Sequence, residues 1–176
     1  MDTHVISSIP VGEDVYGNMQ FDTQRSQIGE LMFGLKYRGM LGNLSKIMEL
    51  ISPFLLKWSA LKTIDAIMPV PPTNQNRAYQ PVYELALEIS KVLGKSYFDG
   101  ILFKTSFSQS KQLGDSDKQQ ISGTIGKAKM ATKRHNMLLV DDIYDSGATV
   151  QECVKVLKAD PKVENIYLLT MTKTKG

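Results

Sequence analysis

The stretch LLVDDIYDSGATVQECVKVL, residues 138–157, decides how the rest of the chain is read. It begins as an apolar run, Leu138–Val140, with the look of a buried strand. It ends as GATVQECVKVLK, an amphipathic helix starting near Gly147. Between them stand Asp141, Asp142 and Asp145 with Ser146, Gly147 and Thr149. Burying two adjacent carboxylates without partners is costly, so Asp141 and Asp142 are expected at the end of the strand, facing an opening, cations or hydroxyls.

The turn Asp145-Ser146-Gly147-Ala148-Thr149 leads into the helix and offers free backbone N–H groups at the positive end of a helix dipole. Gly147 permits positive φ and close approach of the backbone. Ser146 and Thr149 add hydroxyl donors. Together these make a cradle for a phosphate. The carboxylates cannot serve that phosphate, because like charges repel. They suit sugar hydroxyls, a magnesium ion, or both. A phosphate cradle beside a reader of diols and metal describes a phosphorylated ribose. A capped helix after a strand would explain one acidic or hydroxyl residue, but not this set together.

Working outward, residues 4–20 read as two short strands around VGED. Residues 23–36 read as a helix with Ile28, Leu31, Met32 and Leu35 on one face, closed favourably by Lys36 and Arg38 at its negative pole. Gly39 and Gly42 punctuate. A second helix starts at about Asn43, with Pro53 kinking or splitting it. IDAIMPV, from Ile64, is a short strand stopping at Pro71-Pro72. PVYELALEISKVLG is a helix with Pro81 in its first turn and Gly94 as its C-terminal cap. SYFDGILFK contains a strand or two. Residues 105–126 are polar and read as a long loop. HNMLLV and VENIYLLTMT complete the strands. The order implies right-handed crossovers and a parallel sheet with helices on both faces. The chain reads as one domain over residues 1–176, with an N-terminal elaboration at 1–42 and a core at 62–172. Ligands of such sheets bind beyond the carboxyl ends of the strands, where Asp141 lies.

Charge supports an anionic ligand in the second half. Residues 61–176 carry 16 Lys/Arg against 12 Asp/Glu, whereas residues 1–60 carry 5 against 6. Cys153 is the lone cysteine, which excludes a disulfide or a cysteine-based zinc site within one chain. No apolar run reaches the roughly 20 residues of a membrane span, and the N-terminus lacks the features of a secretory signal. A reduced, cytoplasmic setting is the expectation. Lys127, Lys129, Lys133 and Arg134 read as a solvated basic cluster rather than a nucleic-acid surface. Tyr144 reads as an aromatic packing the loop.

The opening stretch closely resembles the phosphoribosyl-pyrophosphate (PRPP) motif of type I phosphoribosyltransferases: an apolar strand, two acidic residues, then a short Thr/Ser/Gly loop. LKYRG at 35–39, MPVPPTNQNRAYQ at 68–80 and SQSKQLGDSDKQQISGTI at 108–125 resemble, in that order, the competence protein F (ComF) branch. The resemblance implies the type I phosphoribosyltransferase fold, with a central, mainly parallel sheet. It implies PRPP-dependent transfer, with Mg2+, to an amine or base acceptor that the sequence does not name. Asp141 and Asp142 would hold the ribose hydroxyls and magnesium. Asp145, Ser146, Gly147, Ala148 and Thr149 would wrap the 5-phosphate. Val70, Pro71 and Arg77 would belong to the pyrophosphate loop, and Asp141, Asp142 and Arg77 would carry catalysis. Gln109 and Lys118 would sit on a loop that closes over PRPP. The branch's cysteine-rich zinc element is missing, and its Arg-Gly-Phe-Asn-Gln pattern stands here as Arg77-Ala78-Tyr79-Gln80-Pro81. Two rival functions are a PRPP-sensing module without turnover and a ComF-like accessory of DNA uptake. A homodimer is compatible with the reading.

Overall fold

The computed structural model describes residues 2–72, 77, 79–105 and 124–174. Gln109 and Lys118 lie outside the described residues. Among those described, the main sheet runs β1 (Asp2–Thr3), β9 (Val163–Lys173), β8 (His135–Tyr144), β4 (Ala66–Pro69), β5 (Ser96–Tyr97), with every neighbouring pair parallel. Two antiparallel pairs stand apart: β2 (Val5–Glu13) with β3 (Met19–Arg25), and β6 (Leu102–Lys104) with β7 (Ile125–Lys127).

Alternation along the strands builds two cores. Ile67 of β4 and Leu138 and Val140 of β8 face α1 (Gln27–Tyr37), α2 (Asn43–Lys57) and α3 (Pro81–Leu93), meeting Leu35, Ile47, Leu85 and Ile89. Ala66, Met68, Met137 and Leu139 face the other way, onto Cys153 and Leu157 of α4 (Ala148–Lys158). Ile67, Leu138 and Leu139 are wholly buried. Each such side chain contributes about 1.5–3 kcal/mol by leaving water.

Helix boundaries follow their caps. Ser26 caps α1, its Oγ accepting from the Gly29 N–H, so residues 23–25 belong to β3 and not to the helix expected from residue 23. Asn43 does not cap α2. Gly42 stands at the cap position, and the buried Asn43 amide instead donates to Leu31 O at 3.0 Å, tying α2 to α1. The helix passes through Pro53 unbroken. Pro81 opens α3, and Gly94 closes it in the left-handed region at φ 61°.

The N-terminal hairpin turns later than expected, only the last residue of VGED taking part. Asp14 makes the turn, its Oδ1 accepting from the N–H groups of Tyr16 and Asn18 at 2.9 Å each, and the strands extend to Glu13 and from Met19. Nor is the N-terminal part wholly peripheral. β1 joins the main sheet, and α1 places Met32 and Leu35 in the core.

Strand β8 also runs on past Val140 to Tyr144, because β9 continues to pair with it at Asp141, Ile143 and Tyr144. The chain leaves β4 through α3 toward β5 and leaves β8 through α4 toward β9. The two connections depart in opposite directions. Between the carboxyl ends of β4 and β8 lies the crevice where sheets of this kind bind ligands.

Candidate functional site

That crevice is a cavity of about 480 Å³. The segment after β4 forms one jaw with Val70, Pro71, Pro72 and Arg77, and the end of β8 with the turn into α4 forms the other with Asp141, Asp142, Asp145 and Thr149. Seven residues singled out from the sequence are thus brought to one opening: Val70, Pro71, Arg77, Asp141, Asp142, Asp145 and Thr149. Ser146, Gly147 and Ala148 complete the turn between them without lining the cavity.

The strand period separates the two carboxylates. Asp142 shares the face of Leu138 and Val140, and there it meets α1 in an ion pair with Lys36 Nζ. Asp142 is 8% exposed, so the ammonium beside it offsets a carboxylate removed from water. Asp141 lies on the α4 side. Its Oδ1 accepts from the Asp142 N–H at 2.9 Å. Burial, and then the Asp142 carboxylate alongside, push the Asp141 carboxyl well above its ordinary value.

At the turn, Gly147 takes the positive φ that its sequence position suggests. Gly147, at φ 76°, sits at the N-cap of α4, where no side chain caps the helix. A Cβ there would lie 2.4 Å from Tyr144 Oη and 2.8 Å from its ring carbon, so Tyr144 packs beneath the turn and glycine is required twice over. Ser146 Oγ accepts from the Ala148 N–H at 3.4 Å, and Asp145 Oδ1 accepts from Thr174 Oγ1 at 2.7 Å. Asp145 is thereby tied to the end of β9.

Sequence reading favoured the role of a helix-ending cation for Lys36 over a functional one. The structure brings it into the cavity wall with Tyr37. The Arg77 guanidinium stands 5.4 Å from the Tyr37 ring, joining α1 to the β4 jaw across the mouth. Gln80 and Ile143 line the cavity too; both lie within quoted segments but were not singled out. Lys36 likewise lies within LKYRG. The basic cluster is not uniformly solvated: the Lys127 side chain is buried against Asp160 at 2.5 Å, whereas Arg134 stays exposed while pairing with Glu164 at 2.7 Å. Among the described residues, no group of three or more His, Cys, Asp or Glu side chains is placed to hold a metal, and no helix is long and apolar enough to cross a membrane.

Two solved structures have similar folds. Glutamine PRPP amidotransferase from B. subtilis superposes with a TM-score of 0.54 and 13% identity, over 90% of this chain and 34% of its own. Adenine phosphoribosyltransferase from Leishmania donovani gives 0.50 and 12%, over 95% of this chain and 64% of its own. The fold is that of the type I phosphoribosyltransferases. At these identities the likeness concerns the fold, and the chain spans about a third of the first protein and under two thirds of the second. No family model and no curated protein matches the sequence.

Proposed function

We propose that this chain is a PRPP-dependent phosphoribosyltransferase that displaces pyrophosphate from C1 of the ribose by a nitrogen nucleophile. The observation that carries the reading is the lip of the cavity: two adjacent carboxylates within the last four residues of β8 and, three residues beyond its end, a glycine at φ 76° that opens α4. The turn's amides and the dipole of α4 suit the 5-phosphate. The carboxylates suit the ribose hydroxyls. Arg77 on the opposite jaw suits the pyrophosphate. The presence of Lys36 in the wall gives weight to LKYRG, one of the segments on which we place the chain in the ComF-like branch.

Magnesium fits these residues in a limited way. Asp141 and Asp142 supply hard oxygen donors, which Mg2+ takes alongside substrate phosphates rather than in an all-protein cage. Bound there, the ion would neutralise the leaving pyrophosphate. The protein's own part is to hold the ribose between the cradle and the carboxylates, so that C1 faces its nucleophile. Arg77 would offset the charge that gathers on the leaving group.

The test is thermal. Changing Asp141 and Asp142 together to Asn keeps their shape and removes their charge. Mg-PRPP at about 100 times its dissociation constant stabilises a protein by about 2.7 kcal/mol. The parent should therefore melt several degrees higher with Mg-PRPP. The double variant, which leaves Lys36 without its partner, should lose most of that rise whatever its own apo melting temperature. A variant that keeps the full rise sinks the assignment of these carboxylates.

A further inference from the structure

A hollow of about 40 Å³ adjoins the main cavity, sharing Lys36, Tyr37 and Asp142 with it, and His4 and Thr172 form its far side. His4 is fixed by its surroundings. Its N–H donates to Lys173 O at 2.8 Å. Gly29 of α1 comes so close that a Cβ there would lie 2.4 Å from His4 O. The residue is clamped between β9 and α1.

Its side chain is oriented by a short chain of hydrogen bonds. Nδ1 lies 3.1 Å from Thr172 Oγ1, and the fully buried Thr172 hydroxyl donates to Asp142 O at 3.4 Å. A hydroxyl has one proton. The proton can serve Nδ1 at 3.1 Å or the Asp142 carbonyl at 3.4 Å; directed at the carbonyl, which can only accept, it leaves Thr172 Oγ1 to accept from the ring. Nδ1 then carries the imidazole proton, and Nε2 keeps a lone pair. The charged groups around the ring are Arg25, Lys36, Asp142 and Glu30. Burial first, then Arg25, holds His4 below its ordinary value, which leaves the imidazole neutral at neutral pH.

We infer that His4 Nε2 is the proton acceptor for the incoming nucleophile, and that the acceptor substrate is a neutral compound attacking through an N–H nitrogen. This rests on the phosphoribosyl-transfer reading. The nitrogen lone pair forms the bond to C1. The C1–O bond to pyrophosphate breaks, and its electron pair leaves on the pyrophosphate. The N–H proton passes to Nε2 and from there to water. A protonated amine is excluded as the attacking species, because an ammonium has no lone pair with which to form the bond to C1. Thr172 is the positioning residue that sets the tautomer.

Three measurements on the full chain test this. The first is the ring nitrogens' NMR shifts, which should report His4 as the Nδ1–H tautomer; an Nε2–H ring overturns the proposal. The second is the melting rise with Mg-PRPP for the parent and for His4→Asn, whose amide keeps a donor toward Thr172. Both should rise equally. A parent without any rise removes the phosphoribosyl reading itself, and this inference with it. A rise lost only in His4→Asn makes His4 part of the PRPP site and overturns its role as proton acceptor. The third is pyrophosphate release from Mg-PRPP with adenine, hypoxanthine, uracil or anthranilate as acceptor. His4→Asn should slow it by about 100-fold or more, the range of a lost general base. Thr172→Val should slow it less, with PRPP binding retained. Unchanged release in His4→Asn overturns the proposal, as does a PRPP-binding parent that uses none of the four.

Discussion

Asp141 and Asp142 are neighbours in sequence, yet they stand on opposite faces of the sheet and in different electrostatic company. Asp142 has Lys36. Asp141 has burial and a like charge, which raise its proton affinity. The sign of the consequence is fixed by linkage. Unfolded, Asp141 titrates near its ordinary 3.8, while in the fold it holds its proton to higher pH. Between those two values the folded chain binds more protons, so stability is greatest at the acid end and falls as pH rises through the raised value. Asp141→Asn should flatten that fall. Urea unfolding of both proteins from pH 4.5 to pH 8 measures it, and parallel curves would mean that Asp141 titrates normally. The acidic pair and the small turn were legible because no ordinary structural need groups those residue types. The partnership of Lys36 was not legible. It depends on a contact across 106 positions, and a lysine at a helix end already has a sufficient local reason to be there.

At the scale of elements, the turn from β8 into α4 is a joint built on one glycine and one tyrosine. Gly147→Ala places an L side chain at φ 76°, at about 1–2 kcal/mol, and drives its Cβ into Tyr144. The second effect should be removable. In a Tyr144→Ala background, Gly147→Ala should cost only the backbone part, and a double-mutant cycle from chemical denaturation gives the difference. An equal cost in both backgrounds would show that Tyr144 does not obstruct the site. The sequence placed this turn correctly and ended the strand too early. Polar residues at 141 and 142 look like an exit from the core, but strand pairing with β9 is a backbone matter and continues regardless of side-chain polarity. The hairpin turn was misplaced for a related reason. VGED has the composition of a turn, yet Gly12, at φ 126°, lies at a bulge within β2, and only the last of the four residues, Asp14, belongs to the turn that its side chain folds.

Across the whole molecule, the switch point between β4 and β8 forms the crevice; the order of apolar runs led only as far as the carboxyl ends of the strands, because the order of strands within the sheet is a tertiary fact. The hairpin β2–β3 stands outside this plan. Ile9, Val11 and Phe21 on it are 60%, 64% and 57% exposed, so it brings little to the core. Its base is held by Arg25, 3.8 Å from the Phe33 ring and paired with Glu30. Replacing residues 6–24 by an Asn-Gly turn between Val5 and Arg25 should therefore leave the melting temperature within a few degrees of the parent by circular dichroism. A drop of about 10 °C or more would make the hairpin part of the cooperative unit.

The burial of Cys153 has a use of its own. It is the chain's single cysteine, fully shielded on the sheet-facing side of α4, and burial, then the Asp141 carboxylate, push its thiol up to about 12. A thiol so protonated and so covered cannot be alkylated until α4 lifts from the sheet. The chain thus carries a built-in clock for that motion, readable by mass spectrometry without a label or a substitution. Because α4 begins at the proposed phosphate cradle, ligand should slow the clock. Saturation with Mg-PRPP at about 100 times its dissociation constant should reduce the alkylation rate about 100-fold if the opening that exposes the sulfur also dismantles the cradle. An unchanged rate would mean that α4 can breathe at its far end while its first turn stays in place.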